Sequence, residues 1–231
     1  MLGPFGYTIW ILCTLLEAAV VVCALYRKSF RRYFLINLYM VAAILVSLSR
    51  FQILARFGLT SYEYAYYYFY SDALLTIGLY FAIISLYAHI LEELGAEKYL
   101  RLGAILLLGG TAWFSYQVVN QSSHRLLTHF AFELSQNLFF VGLVLTYLLW
   151  AVILKLRETR TRLIQLVLSL GVYFSLFSAS YALRNLYPNL QEYWAYLPPL
   201  FGCLLPLAWF YAFWRVPEGA RLAPSRLAVP R

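Results

Sequence analysis

The chain has 231 residues, of which 63% are hydrophobic and 12% charged, with a mean hydropathy of +0.70 and a formal net charge of +8. Soluble domains keep roughly a quarter of their residues charged and about half apolar, so these values exclude an ordinary soluble enzyme or binding module and predict an all-α, polytopic membrane protein. The positive charge is spread over four short segments beside apolar runs, where anionic lipid headgroups are nearer partners than nucleic acid, and no nucleic-acid partner is expected.

A bilayer core about 30 Å thick needs about 20 apolar residues per helix. Seven runs of that kind can be laid along the chain: Tyr7–Tyr26, Tyr33–Leu54, Tyr66–Leu91, Leu102–Val119, His129–Leu154, Leu163–Arg184 and Trp194–Trp214. They predict a seven-helix transmembrane bundle over residues 1–214, followed by a basic cytoplasmic tail over 215–231. The opening MLGPFGY has no basic run and no small-residue cleavage signal, so the first helix is expected to stay in the mature protein.

Orientation follows from the 18 Lys and Arg residues, because cytoplasmic connections retain positive charge during insertion. The connections after the first, third and fifth runs, with the tail, hold 14 of them, including Arg27, Arg32, Lys98, Arg160 and Arg162, whereas the opposite connections hold Arg56, Arg125 and Arg184. The amino terminus is therefore expected outside and the carboxyl terminus inside. Trp10, Trp113, Trp194 and the tyrosines of 64–70 fall toward the outer ends, and Trp150 and Trp214 toward the inner ends, as an interfacial aromatic belt requires. Cys13, Cys23 and Cys203 all lie within apolar runs, so no extracellular disulfide framework is expected.

Ionised groups within spans are costly and tend to face a bundle interior or an aqueous cavity, paired with one another. Four occur: Glu17, Arg50, Asp72 and Glu133. At 1.5 Å rise per residue, Arg50, Asp72 and Glu133 fall roughly 6–12 Å below the outer ends of their helices, and Glu17 roughly 15 Å. The first three share a layer, which predicts that Arg50 pairs with Asp72 or Glu133. Glu17 is either the floor of the same cavity or a separate proton- or ion-coupling group.

His129, Glu133, Gln136 and Asn137 stand at i, i+4, i+7 and i+8, one face of the fifth helix. Such a face must meet other helices, an aqueous cavity or a partner protein. Tyr68, one turn before Asp72, is placed to donate its hydroxyl to that carboxylate, and Ser47 stands one turn before Arg50. The candidate ligand-binding set is thus Arg50, Asp72, Glu133, Gln136, Asn137 and Tyr68. Gly171, Ser175 and Ser178 form a small-residue packing face, and Pro198, Pro199 and Pro206 are expected to kink the seventh helix.

RKSFRR and KLRETRTR follow the first and fifth helices, Arg50 and Arg184 sit late in the second and sixth, and EYAY and EYWAY precede the third and seventh. This echo predicts a three-plus-one-plus-three parallel repeat, an arrangement in which transporters bind substrate at the repeat interface. Metalloprotease HExxH and hydrolase GxSxG signatures are absent from the sequence. The three histidines do not supply a pair of haem ligands within the bundle, and Lys28, Lys98 and Lys155 all fall in connections, away from any retinal-like site. No catalytic residue, metal or cofactor is expected.

The arginine late in the second helix, the acid of YSDALL and the polar stripe of FELSQN resemble a family of small bacterial seven-helix membrane proteins that has no assigned function. That resemblance implies a bacterial inner-membrane location and no activity, substrate or cofactor. Two functions fit the residues: a transporter or sensor with an outward-facing charged pocket for a small charged ligand, or an accessory subunit whose polar face is covered by another membrane protein or a second copy of the chain. A lipid-modifying enzyme using the two carboxylates as general acid and base is a third reading.

Overall fold

The computed structural model describes residues 4–92, 97–120, 126–187 and 197–221. The described residues form seven helices and no strand: α1 (Pro4–Tyr26), α2 (Phe34–Phe57), α3 (Tyr62–Leu91), α4 (Glu97–Asn120), α5 (Leu126–Leu156), α6 (Thr161–Leu186) and α7 (Leu197–Arg215). Each is long and apolar enough to cross a membrane. The α3 helix begins four residues before its expected start because Ser61 caps it, its hydroxyl accepting from the Tyr64 amide at 3.1 Å. Hydropathy registers the bilayer-facing run and not the polar residues that close a helix end.

The helices close a ring in which α1 packs on α2, α2 on α3, α3 on α5, α5 on α6, α6 on α7 and α7 on α1. The remaining helix, α4, lies outside the ring against α5 and α3. The neighbour order of α1–α3 is repeated by α5–α7, and in that correspondence the seam of α3 with α5 matches the seam of α7 with α1. The helix ends carry the same correspondence. Lys28 and Arg157 both adopt positive φ, 54° and 51°. The amides of Lys28 and Ser29 reach back to Leu25 and Ala24, and those of Arg157 and Glu158 to Leu154 and Ile153. Each is a left-handed helix cap with a basic residue where glycine is usual. Gly58 and Tyr187 likewise close α2 and α6 on the carbonyls of Leu54 and Leu183. In this register Arg184 falls on Ala55, next to Arg56 in the last turn of α2, and not on Arg50.

Lipid tails are as apolar as leucine, so packing rather than expulsion of water holds the helices together. At the centre lie Trp209, Phe174, Phe213, Ile36 and Met40, none more than 1% exposed. Polar ends of aromatic side chains bridge helices: Trp209 donates to Ser169 at 2.8 Å, Tyr80 to the Ala104 carbonyl at 2.6 Å, and Tyr87 to the Leu145 carbonyl at 2.6 Å. Gly171 does allow close approach, facing Thr146 and Trp150 of α5, but the tighter position is Gly142, where any Cβ would enter the Phe174 ring. Pro198 and Pro199 occupy the first turn of α7, where no amide donor is needed, and only Pro206 is interior.

One sequence expectation fails on structural grounds. Cys13 and Cys203 form a disulfide joining α1 to α7. Each lies about two turns into a helix that enters from the same end of the bundle, so membrane burial aligned rather than separated them, and Cys23 alone is free. The beginning of the tail packs against the bundle. Arg162, 4% exposed, donates to the Val216 carbonyl from Nε at 3.0 Å and to Glu218, and Arg32 pairs with Glu218 at 3.0 Å. The Thr161 amide bonds the Ala220 carbonyl at 3.0 Å. Residues 222–231 lie outside the described residues.

The same basic end carries a compact lock in the α5–α6 connection. Glu158 accepts from Arg160 Nε at 2.9 Å and Nη2 at 2.6 Å, and from the amides of Thr159 and Arg160 at 2.9 Å each. The Arg160 side-chain hydrogen bond, aided by these amides, holds the Glu158 carboxyl below its ordinary range. A depressed folded-state value gives stability that is complete above the unfolded value and is lost as pH falls through the folded one. Protection of the Thr159 and Arg160 amides, relative to their intrinsic exchange, is therefore expected to fall as pH is lowered through the carboxylate range. Glu158→Gln should show fast exchange already at neutral pH and no such transition.

Candidate functional site

The α2–α3 pairing brings Arg50 against the start of the apolar part of α3. Its Nε donates to Ser71 Oγ at 2.8 Å, its Nη2 to the Tyr68 carbonyl at 3.1 Å, and its guanidinium lies over the Tyr68 ring with Cζ 4.3 Å from the centroid. Asp72 Oδ1 is 3.8 Å from Nη2, an ion pair longer than a hydrogen bond. The other carboxylate oxygen, Oδ2, accepts from Ser135 of α5 at 2.8 Å, and Ser135 also meets the Thr76 hydroxyl at 3.0 Å. Three helices thus converge on one carboxylate, and Asp72 keeps lone-pair capacity that neither partner uses.

Of the two pairings open to Arg50, the one with Asp72 forms. Glu133 and Gln136 are half-buried and make no hydrogen bond or ion pair among the described residues. Asn137 donates to Ser115 at 3.0 Å and ties α5 to α4. His129 is exposed at the end of the same stripe. Tyr68 gives Arg50 its carbonyl and ring face instead of giving Asp72 its hydroxyl. Ser47 holds Trp10 Nε1 at 2.5 Å and Thr14 at 2.6 Å, and Ser71 takes the place expected for it beside Arg50.

Glu17 lies deeper, within electrostatic reach of Arg50, and its Oε2 is buried with no hydrogen-bond partner. Tyr39 of α2 and Tyr173 of α6 stand within electrostatic reach of both Glu17 and Asp72. A polar thread therefore runs from the Asp72 layer toward the bundle centre.

Beside Asp72 is a partly enclosed cavity of about 150 Å³ between α3, α5, α6 and α7. On the side toward α2 the guanidinium of Arg50 meets Ser71. The cavity walls are aromatic, from Tyr68, Phe69, Phe132, Phe177 and Tyr181, and Arg184 stands on its rim. Phe132 meets Phe69 and Tyr181 edge to face, with centroids 6.1 and 6.2 Å apart. A larger groove of about 340 Å³ near Phe57, Tyr62 and Tyr66 is shallow and apolar and holds only Glu63 as a charged group, so the smaller cavity is where ligand-orienting groups converge.

Among the described residues, no three of His, Cys, Asp and Glu cluster as a metal site would require. The fold and its apolar surfaces define a multi-pass α-helical membrane protein in contact with lipid. Comparison with protein-family models, characterised proteins and solved structures finds no match to this chain.

Proposed function

We propose that the chain is a bacterial inner-membrane protein whose amino-terminal end faces outward and whose Asp72 cavity binds a small charged ligand for transport or sensing. The resemblance to small bacterial seven-helix proteins and the 14-to-3 charge asymmetry support the location and orientation. The observation that carries the binding reading is the position of Asp72. Clamped by Arg50 and Ser135, it borders a cavity on the α3–α5 seam between two corresponding three-helix units. Binding sites at repeat interfaces allow one unit to rock against the other around a fixed ligand. Glu17, buried with an unpartnered oxygen within reach of Arg50, is the group we assign to proton or ion coupling.

One observation favours the alternative of an accessory subunit. Glu133 and Gln136 do not line the cavity and make no hydrogen bond or ion pair among the described residues, and a second membrane protein or copy would cover them. The two readings separate on purification in mild detergent. A ligand protein stays monodisperse alone, and charged small molecules stabilise it according to RT ln(1 + [L]/Kd), an effect lost in Asp72→Asn. A subunit aggregates unless its partner is retained, and Glu133→Gln breaks the association.

Orientation has its own test. In a background without native cysteines, single cysteines replacing Ser122 and Asn189 should react with an impermeant reagent applied outside, and those replacing Ser29 and Thr159 should not. The opposite labelling would turn the cavity to the cytoplasm.

A further inference from the structure

The chemistry of the cavity wall specifies more than a charge. Around Asp72 the surfaces of Tyr68, Phe69, Phe132, Phe177 and Tyr181 are aromatic, and aromatic faces beside a carboxylate attract an organic cation. Arg50 does not line this space: it is held by Ser71 and the Tyr68 carbonyl, and its guanidinium lies over the Tyr68 ring. At the rim the sign reverses. Arg184, in the last turn of α6, is exposed and has no carboxylate within salt-bridge distance among the described residues. Tyr181, one turn before it on the same helix, is within electrostatic reach of both Asp72 and Arg184, so the two charges bracket one aromatic wall. A volume of about 150 Å³ has room for a compact amine.

Resting on the ligand-site reading above, we propose that the cavity binds a zwitterion, its ammonium group inward against Asp72 and the aromatic walls, its anionic group outward on Arg184. A free amino-acid-like or betaine molecule and a zwitterionic lipid headgroup share that chemistry, and experiment distinguishes them. Thermal unfolding of the full chain in mild detergent would be followed with glycine betaine, choline and propionate, and separately in micelles doped with phosphatidylethanolamine or phosphatidylglycerol. Glycine betaine should bind about tenfold more tightly than choline, the contribution of one charge-assisted contact, and propionate should have no effect. Arg184→Gln should reduce betaine to the level of choline and leave choline unchanged, and Asp72→Asn should abolish both.

Stabilisation by phosphatidylethanolamine alone, with the same dependence on Asp72 and Arg184, would identify a headgroup as the source. Choline binding as tightly as betaine, with Arg184→Gln silent, would overturn the zwitterion and leave the ligand site standing. A chain indifferent to every cation and zwitterion, in wild type and in Asp72→Asn alike, would remove both. Arg184 is on the surface, so its variant tests the inference even where Asp72→Asn does not fold.

Discussion

Replacing Arg50 with alanine is expected to destabilise the bundle by about 3 kcal/mol. The change removes two hydrogen bonds, the cation–π contact on Tyr68 and the ion pair with Asp72. Breaking a buried pair by deleting one member costs about 3–5 kcal/mol, because the surviving charge is left uncompensated. The Asp72 side chain is 33% exposed and that of Arg50 only 15%, so screening at Asp72 puts the loss near the lower figure, about 3 kcal/mol. Arg50→Ala with Asp72→Asn should then be more stable than the sum of the two single changes, with a coupling of about 1–2 kcal/mol. Arg50 with Glu133→Gln should be additive. Denaturation cycles in mild detergent measure both, and additivity for Arg50 with Asp72 would show that the 3.8 Å contact carries no energy. Arg50→Lys is not expected to rescue, since an ammonium cannot stack on Tyr68 while donating to both Ser71 and the Tyr68 carbonyl.

That pair was legible in the sequence because the physics is one-dimensional. Rise per residue places Arg50 and Asp72 at one depth, and the cost of isolated charge requires that they meet. The same reasoning could not choose between Asp72 and Glu133, since depth says nothing about which way a side chain points around its helix. Ser135 shows the limit more sharply. It lies within FELSQN but about 200° around the helix from Glu133, and there it is buried and bonded to Asp72. The polar stripe draws attention to the charged face, and the contact with Asp72 comes from a hydroxyl on the other.

The cavity was less legible still, because Asp72, Phe132, Tyr181 and Arg184 become neighbours only when α3, α5 and α6 adjoin. The repeat could have suggested that seam. Its clearest signature is conformational, in the matched caps at Lys28 and Arg157, and no residue type announces a left-handed turn where glycine is absent. Aligning letters without helix ends sets Arg184 against Arg50, whereas the matched caps set it against Ala55.

The Cys13–Cys203 disulfide should produce the second large effect. It closes a separation of 190 residues, for which a chain-entropy model gives about 5 kcal/mol. A bilayer or micelle already confines separated helices, so less entropy is left to remove and about 2–4 kcal/mol is expected. Reduction, Cys13→Ala and Cys203→Ala should each lower the unfolding temperature by the same amount, and the double replacement should add nothing. After a single cut engineered into the α4–α5 connection, the fragments carrying residues 13 and 203 should migrate together until reductant is added. Separation without reductant would mean that the cysteines are not joined. The bond lies on the α7–α1 seam, one of the two that the repeat matches, and the cavity lies on the other. With the first seam tied covalently, any opening around Asp72 must hinge there and widen at α3–α5. Cross-linking α3 to α5 should accordingly block ligand entry, while the oxidised Cys13–Cys203 link leaves it intact.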